Sequence, residues 1–561
     1  MDTLHSALKL IKKGCLMASV DLKDAYFSVP IHVSDQKYLK FYWDNTLYKF
    51  TVFPNGLACC PRLFTKLLKP VLAHLHDKGL TSTMFIDDTL LLGDTMGECL
   101  LNVKETVNLF SKLGFVVHPT KSVLEPKTNI VYLGFMIDSE EMRVSLTEEK
   151  KCNIKMVCED ILEKQVIKIR DLASIIGKLV ASFPGVKYGP LWYRNLEENK
   201  KTALQRSKGN FEKKVWISDL AQDELKWWTE NIMTVFNTIE VEEPCQIIYT
   251  DASLKGWGCT TGLMRTGGEW TAVEALDNIN VLELRAVFMA LNICTKNRSN
   301  CHFRIMTDNI TTMTCINKMG TSHSLACNKE TKKIWQLCAK KNIWISAAYI
   351  TSKENMIADY ESRNVNLDME WMINKELLKV ALEILNFKPN YDLFASRNNH
   401  QYKLYASFKE DPGADRVDSF NMYWGDKKMY AFPPFCIIPR VIQKIRRDKA
   451  TGVLVVPFWK NQIWYSEIGK MLVERPVLIS ARKNLLQLPA HPEKTHKMEK
   501  SLRLLCCKIS GKDTKIKEFQ KCLPAYLQLP GDKEQSETMT VILKNGNDMQ
   551  IRKTSILFHR L

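Results

Sequence analysis

Two sets of carboxylates stand where apolar strands are expected, and their spacing could do chemistry. In ASVDLKDAYFSVP, Asp21 ends a β-type run with Asp24 just beyond it; 66 positions after Asp21, TMFIDDTLLLGD sets Asp87 beside Asp88 between two apolar runs. Adjacent acids in a buried strand are costly unless a cation or hydrogen bonds compensate them. A hairpin tip in water is the plain alternative, because Asp is common at turns. If Asp21 and the Asp87/Asp88 turn converge, three oxygen ligands form a site suited to Mg2+ (or Mn2+), which keeps waters and completes its shell with substrate phosphates. Two such ions about 4 Å apart can activate an attacking oxygen and stabilise a leaving one in phosphoryl transfer.

The second set lies downstream. YTDAS, LELRA, MTDN and NMIADYESR contribute Asp251, Glu283, Asp308 and Asp359, with the first and third at strand ends, Glu283 inside a helix and Asp359 in a late polar segment. Each acid alone reads as a strand-end cap or a solvated helix position. Together, without basic partners beside each, they invite two-metal hydrolysis of a phosphodiester.

The elements that must position these acids are set by periodicity. Residues 1–140 mix short β-type runs with the helix-like PRLFTKLLKPVLAHLHDKG and GECLLNVKETVNLFSKLG, the second stopped by Gly114. Residues 141–243 read mostly as basic helix, with SFPGVKYGP as a turn. From about 244, strands alternate with helices in an α/β pattern: CQIIYTDASLKGWGCTTGLM, NVLELRAVFMALNIC, CHFRIMTDN, NIWISAAYI. KMYAFPPF and GVLVVPFW, separated by IPRVIQKIRRDKA, mark another α/β unit over about 385–475, and 476–561 reads as a basic, unassigned tail. The fold class expected is therefore multidomain, α+β and then α/β.

Composition sets bounds. The 561 residues exceed one core, since domains run to about 100–200 residues. Lys+Arg 79 against Asp+Glu 62 gives a formal +17, which favours polyanionic partners. The 17 cysteines show no zinc spacing and read as reduced thiols without disulfides, as in the cytoplasm or nucleus. No signal-peptide layout and no apolar run of about 18 residues occurs, so neither secretion nor a membrane is expected.

SVDLKDAYFSVPI, FPNGLACCPRLFTKLL, FIDDTLLLG, LGFVVHPTKS and VYLGFMI, in that order over about 120 residues, resemble motifs A to E of retroelement reverse transcriptases. The resemblance implies a polymerase palm over 1–140 with partial fingers, a helical thumb or connection over 141–243, and Asp21, Asp87 and Asp88 as the metal-binding triad. Phe85 stands where the family usually has Tyr. Tyr26 is similar to the aromatic steric gate beneath the nucleotide sugar. Asn55 and Gly56 match the place that positions template and incoming nucleotide, with Asn55 departing from the usual Gln or Phe. Lys121 resembles the lysine that protonates pyrophosphate. Tyr132 to Phe135 resemble the primer grip.

Asp251, Glu283, Asp308 and Asp359 resemble the acidic set of a ribonuclease H domain over 244–365, with Tyr349 where many relatives carry histidine. Beyond it, YDLFASRNNHQYKLYAS and the stretch up to GVLVVPFW are similar to the region downstream of ribonuclease H in DIRS-like, Ngaro-type tyrosine-recombinase retrotransposons. The same region also resembles phage-type adenine methyltransferases, in degenerate form: Phe432-Pro433-Pro434-Phe435 lacks the Asn or Asp that accepts the target amine. A structural or nucleic-acid-binding remnant is expected there.

The implied partners are an RNA template, a DNA primer, RNA–DNA hybrid and deoxynucleoside triphosphates, and the implied cofactor is two Mg2+ (or Mn2+) ions per site. The chain opens inside a patterned strand, so it reads as a fragment with truncated fingers and no recombinase set before Leu561. The rival expectation is a truncated or host-retained product that binds nucleic acid without catalysis.

Overall fold

The computed structural model describes residues 3–239, 243–364, 370–523, 548–551 and 554–561. The chain divides into two units, Met1–Glu243 and Pro244–Leu561.

In the first unit, the strand Leu16–Lys23 pairs antiparallel with Asp88–Gly93, with Val116–Val117 and with Val123–Lys127, while Ser82–Phe85 pairs with Asp88–Gly93 at the edge. Alternation decides the faces, since successive side chains of a strand point to opposite sides. Ala18, Val20, Leu22 and Leu91 pack under Phe64 and Leu68 of the helix Cys60–Asp77 and under Cys99 and Phe110 of the helix Met96–Lys112. The latter helix begins with a capping box in which Thr95 and Glu98 exchange side-chain and backbone bonds.

Met17, Leu90 and Leu92 face the other way, into a core shared with the helices Glu148–Lys164, Ile169–Ser182 and Asp219–Asn231. The boundary expected at 140 therefore separates no cores. Both faces of the sheet are apolar, and the chain beyond 140 supplies the cover that the second face requires. SFPGVKYGP forms two 3-10 turns, Phe183–Gly185 and Gly189–Leu191. The two-stranded hairpin Lys40–Trp43 and Thr46–Lys49 is exposed throughout.

The second unit begins with a five-stranded sheet. Arg265–Glu269, Gly256–Thr260 and Gln246–Ala252 form an antiparallel meander, and His302–Thr307 and Trp344–Tyr349 extend it in parallel. The helix Met356–Arg363 lies directly on this sheet at Gly258. A Cβ there would stand 2.1 Å from the Ala358 carbonyl oxygen and 2.6 Å from the Ser362 nitrogen, so the close approach requires glycine. Gly258→Ala is expected to cost about 1–3 kcal/mol in urea unfolding, because the helix must lift from the strand.

An eight-stranded sheet comes next in the chain, in the order Arg416–Val417, Leu404–Ser407, Tyr391–Asp392, Lys428–Ala431, Thr451–Pro457, Leu504–Ser510, Val477–Ile479, His559–Arg560. The first five strands are parallel, and Leu504–Ser510 is antiparallel to both its neighbours. The boundary expected at 475 thus falls inside a sheet. The apolar run LLCCKIS is buried in nearly every position, as a strand covered on both faces must be, although the surrounding composition is basic. Part of the expected tail, 524–547, lies outside the described residues.

Within this unit, Arg397 clasps Glu274 through two hydrogen bonds of 3.0 and 2.9 Å and donates a third to the Glu269 carbonyl. Burial pushes the Glu274 carboxyl up, but Arg397 and Thr271 outweigh it and hold its pKa at about 2. The contribution to stability is complete above the ordinary value of 4.5 and is lost as pH falls toward about 2. Arg397→Met is expected to remove that part of the acid dependence, read as the urea midpoint against pH beside the parent chain. No helix among the described residues is long and apolar enough to cross a membrane.

Candidate functional site

The register of the first sheet brings Asp21 directly opposite Asp88 on neighbouring strands. Phe85 pairs with Asp88, leaving Ile86 and Asp87 as a two-residue hairpin loop. Ile86 takes a φ of 60°, which is unusual for a β-branched residue and marks local strain at the tip. The Leu22 N–H donates to the Asp87 carbonyl at 3.2 Å, which ties the tip back to the central strand.

Electrostatics report the crowding. Burial, the charges of Asp87 and Asp21 and a hydrogen bond shared with Asp21 raise the Asp88 pKa to about 6. Asp87 is raised in the same way, by burial first and then by Asp21, while Lys121 opposes both shifts. Like charges held together in this way are relieved by a cation. An all-oxygen carboxylate set fits Mg2+ or Mn2+.

The supporting residues come from several elements. Tyr26, in the 3-10 turn Ala25–Ser28, sets its ring edge-on to Phe64 at 5.5 Å, and burial, then the charge of Asp87, raises its pKa. Tyr132 donates to the Asp88 carbonyl at 3.4 Å. Asn55 and Gly56 lie in an exposed turn before the helix Cys60–Asp77, with no hydrogen bond to the three aspartates. Ser122, which sequence reasoning did not single out, accepts the Asp21 N–H at 3.1 Å. Its only signal was proximity to Lys121.

The second acidic set is tighter. Asp251, Glu283 and Asp308 each offer an oxygen within 4.8 Å of the others. Asp251 lies on the central strand Gln246–Ala252, Asp308 just past the parallel strand His302–Thr307, and Glu283 on the helix Ile279–Cys294. Burial, with the charges of Asp251 and Asp308, pushes the Glu283 pKa up to about 9, against the Ala252 N–H. Asp251 rises to about 6 through burial, against a hydrogen bond from Ser362, with Asp308 and Asp359 adding to the rise. The buried Glu283 Oε2 has no hydrogen-bond partner. A buried oxygen without a donor beside two further carboxylates is what a divalent cation satisfies.

Asp359 does not join the group of three. It sits in the helix Met356–Arg363 rather than in a loose polar segment, and Arg363 pairs with it at 2.6 Å. This corrects the expectation of acids without basic partners: in a helix, positions four apart share a face, so Asp359 and Arg363 meet. Two hydroxyls that sequence reasoning missed hold the site. Ser362 donates to Asp251 at 2.7 Å and Ser352 to Asp308 at 2.6 Å. Tyr349 is half exposed at the end of its strand.

The first site is thus a carboxylate hairpin on an antiparallel sheet backed by helices, with Asp21 facing Asp88 and Asp87 at the adjoining tip. Residues 1–137 match the family described as "Reverse transcriptase (RNA-dependent DNA polymerase)", and part of the chain is similar to retroviral Gag-Pol polyproteins. The Gag-Pol polyprotein of avian reticuloendotheliosis virus is 24% identical over 221 residues, 38% of this chain and 18% of that polyprotein. The Gag-Pro-Pol polyprotein of Mason-Pfizer monkey virus is 29% identical over 142 residues, 24% of this chain and 8% of its own length. The chain thus spans less than one fifth of these relatives. Among solved structures, the foamy viral protease-reverse transcriptase in complex with RNA/DNA hybrid matches with a TM-score of 0.35 and 17% identity, over 64% of this chain and 48% of that one. The same protein in complex with dsDNA matches with a TM-score of 0.36 and 18% identity, over 60% and 68%.

Proposed function

We propose that this chain is an RNA-directed DNA polymerase and ribonuclease H of a retrotransposon, with phosphoryl transfer at two carboxylate sites. The observation that carries the polymerase reading is the register that sets Asp21 against Asp88, with Asp87 at the adjoining tip, inside the reverse transcriptase match. Asp21, Asp87 and Asp88 would hold Mg2+ or Mn2+, which supplies activation of the primer 3′-hydroxyl and neutralisation of the triphosphate. Tyr26 lies beside Asp87, where it would limit the space for a nucleotide 2′-hydroxyl. Lys121 counters the acids electrostatically and is the proton donor toward pyrophosphate. Asn55 and Gly56 would face template and incoming deoxynucleoside triphosphate.

The ribonuclease H reading is supported by Asp251, Glu283 and Asp308 within 4.8 Å on a mixed sheet and its first helix. Asp359 would complete the set on the substrate side, released from Arg363. The chain's own contribution is to fix Asp251 and Asp308 through Ser362 and Ser352 and to bury Glu283. The sequence resemblance of the segments that build the eight-stranded sheet, YDLFASRNNHQYKLYAS through GVLVVPFW, supports a DIRS-like, Ngaro-type element. That sheet is read as a degenerate methyltransferase-like region without methyl transfer.

The test is extension of a DNA primer on an RNA template with deoxynucleoside triphosphates and Mg2+, and then cleavage of the RNA strand of a hybrid. Extension by the unaltered chain is expected. Its absence overturns the polymerase reading for this chain and favours nucleic-acid binding without catalysis.

A further inference from the structure

We infer that the eight-stranded sheet serves the second acidic site: through Lys409, a positioning residue, it seats the helix Met356–Arg363 that orients Asp251. The inference deepens the ribonuclease H reading and rests on it. The helix comes first. Its eight residues are too few to hold a helix in water, where isolated helices shorter than about 12–15 residues are marginal, so packing decides where it lies. The Ser253 hydroxyl donates to the Ser362 carbonyl at 2.7 Å, and the Ser362 hydroxyl donates to Asp251 at 2.7 Å. Asp359 rides on the same two turns. Any shift of this helix therefore moves the hydrogen bond that orients Asp251.

One group on the helix opposes that seat. Glu361 lies against the edge strand Arg265–Glu269, where a Cβ at Gly267 would stand 2.6 Å from the Glu361 carbonyl oxygen, and its side chain is only 5% exposed. A carboxylate buried to that degree needs a cation beside it or lifts toward water. Arg265 is 3.9 Å away with a side chain 73% exposed, and exposed pairs contribute little. The Lys409 ammonium, at 3.2 Å, is the one hydrogen-bond donor to this carboxylate among the described residues.

Lys409 is only as well placed as the loop that carries it. That loop, 408–415, follows the strand Leu404–Ser407 of the eight-stranded sheet. The Ser407 hydroxyl donates to the Lys409 carbonyl, the Thr266 hydroxyl donates to the Glu410 carbonyl at 2.6 Å, and the Lys296 ammonium donates to the Ala414 and Asp415 carbonyls. Two of these donors belong to the fold that gathers the acids: Thr266 stands on its edge strand, and Lys296 just past the helix Ile279–Cys294 that carries Glu283. The later sheet is thus docked on that fold, and Lys409 reaches from the docked loop to the helix.

The experiment uses the full chain in two arms, cleavage of the RNA strand of a hybrid with Mg2+ and hydrogen–deuterium exchange over residues 356–363. Lys409→Met is expected to lower kcat by about tenfold or more with KM unchanged within about twofold, because a misplacement of about 1 Å at a catalytic group costs up to roughly a hundredfold in rate. Exchange over 356–363 should quicken by about tenfold, with 246–252 at the parent rate. Lys409→Arg keeps the cation and should restore both. Glu361→Gln added to Lys409→Met removes the uncompensated charge and should restore both as well, a rescue that a lysine holding the substrate would not show. Parent kcat in Lys409→Met, a rise in KM in place of the fall in kcat, or no rescue by Glu361→Gln overturns the inference. A parent chain that leaves the hybrid intact counts instead against the ribonuclease H reading, and exchange then decides the seat alone: the parent rate in Lys409→Met overturns it, and quickened exchange rescued by Glu361→Gln supports it.

Discussion

Replacing Asp87 and Asp88 together by asparagine is expected to reduce Mg2+-dependent primer extension on an RNA template by about 10^3-fold or more, equivalent to roughly 4 kcal/mol of transition-state stabilisation. The side chains keep their size, so the hairpin is retained and the loss is chemical. The same variant has a signature independent of activity. In the metal-free parent, Asp88 is raised from 3.8 to about 6, so between those values the folded site holds a proton that the unfolded chain has released. Stability therefore falls as pH rises through that window, and the asparagine variant flattens the fall. Urea midpoints across the window measure it. An unchanged extension rate would show that the hairpin carboxylates do not hold the catalytic ions.

Asp251→Asn is expected to abolish cleavage of the RNA strand of a hybrid, by about 10^3-fold or more, while leaving primer extension unchanged. Glu283→Gln supplies the control for fold. At neutral pH the carboxylate is opposed by burial and by Asp251 and Asp308, with its pKa at about 9, so a neutral amide of the same shape fits better in the metal-free chain. Its melting temperature is expected to rise by about 2–4 °C, the shift of about 1 kcal/mol in a unit of this kind. Addition of Mg2+ should then stabilise the parent more than the variant, because a ligand that binds only the folded state raises its stability. A variant that cleaves at the parent rate would remove Glu283 from the site.

How much of this was readable in advance depended on whether the signal was local. The acids announced themselves because carboxylates interrupt apolar runs, and the ordered segments around Asp21 and Asp87 resembled reverse transcriptase motifs. Helix ends were equally local: Thr95 with Glu98 makes a capping box over three positions. The hydroxyl partners were not readable. Ser362 reaches Asp251 across 111 positions and Ser352 reaches Asp308 across 44, and serine at such distances has no periodicity to reveal it. Asp359 differs from its expectation for the opposite reason: its Arg363 partner is only one turn away, and it is the helix Met356–Arg363, not a loose polar segment, that brings the two together.

The sequence by itself determined which residues could bind cations and the local elements that carry them, because strand alternation, helix capping and adjacent carboxylates are written in short stretches. The tertiary structure decided convergence. Only the antiparallel register sets Asp21 opposite Asp88, and only the parallel pairing of Gln246–Ala252 with His302–Thr307, under the helix Ile279–Cys294, gathers Asp251, Glu283 and Asp308. It also decided domain extent. The apolar strand Leu504–Ser510 enters its sheet between strands from before and immediately after the expected boundary at 475, and the core beneath 1–140 is completed by helices that lie beyond it in the chain. Both are decisions of burial: an apolar face must be covered, and the segment that covers it is selected by packing in three dimensions, which no short window of sequence records.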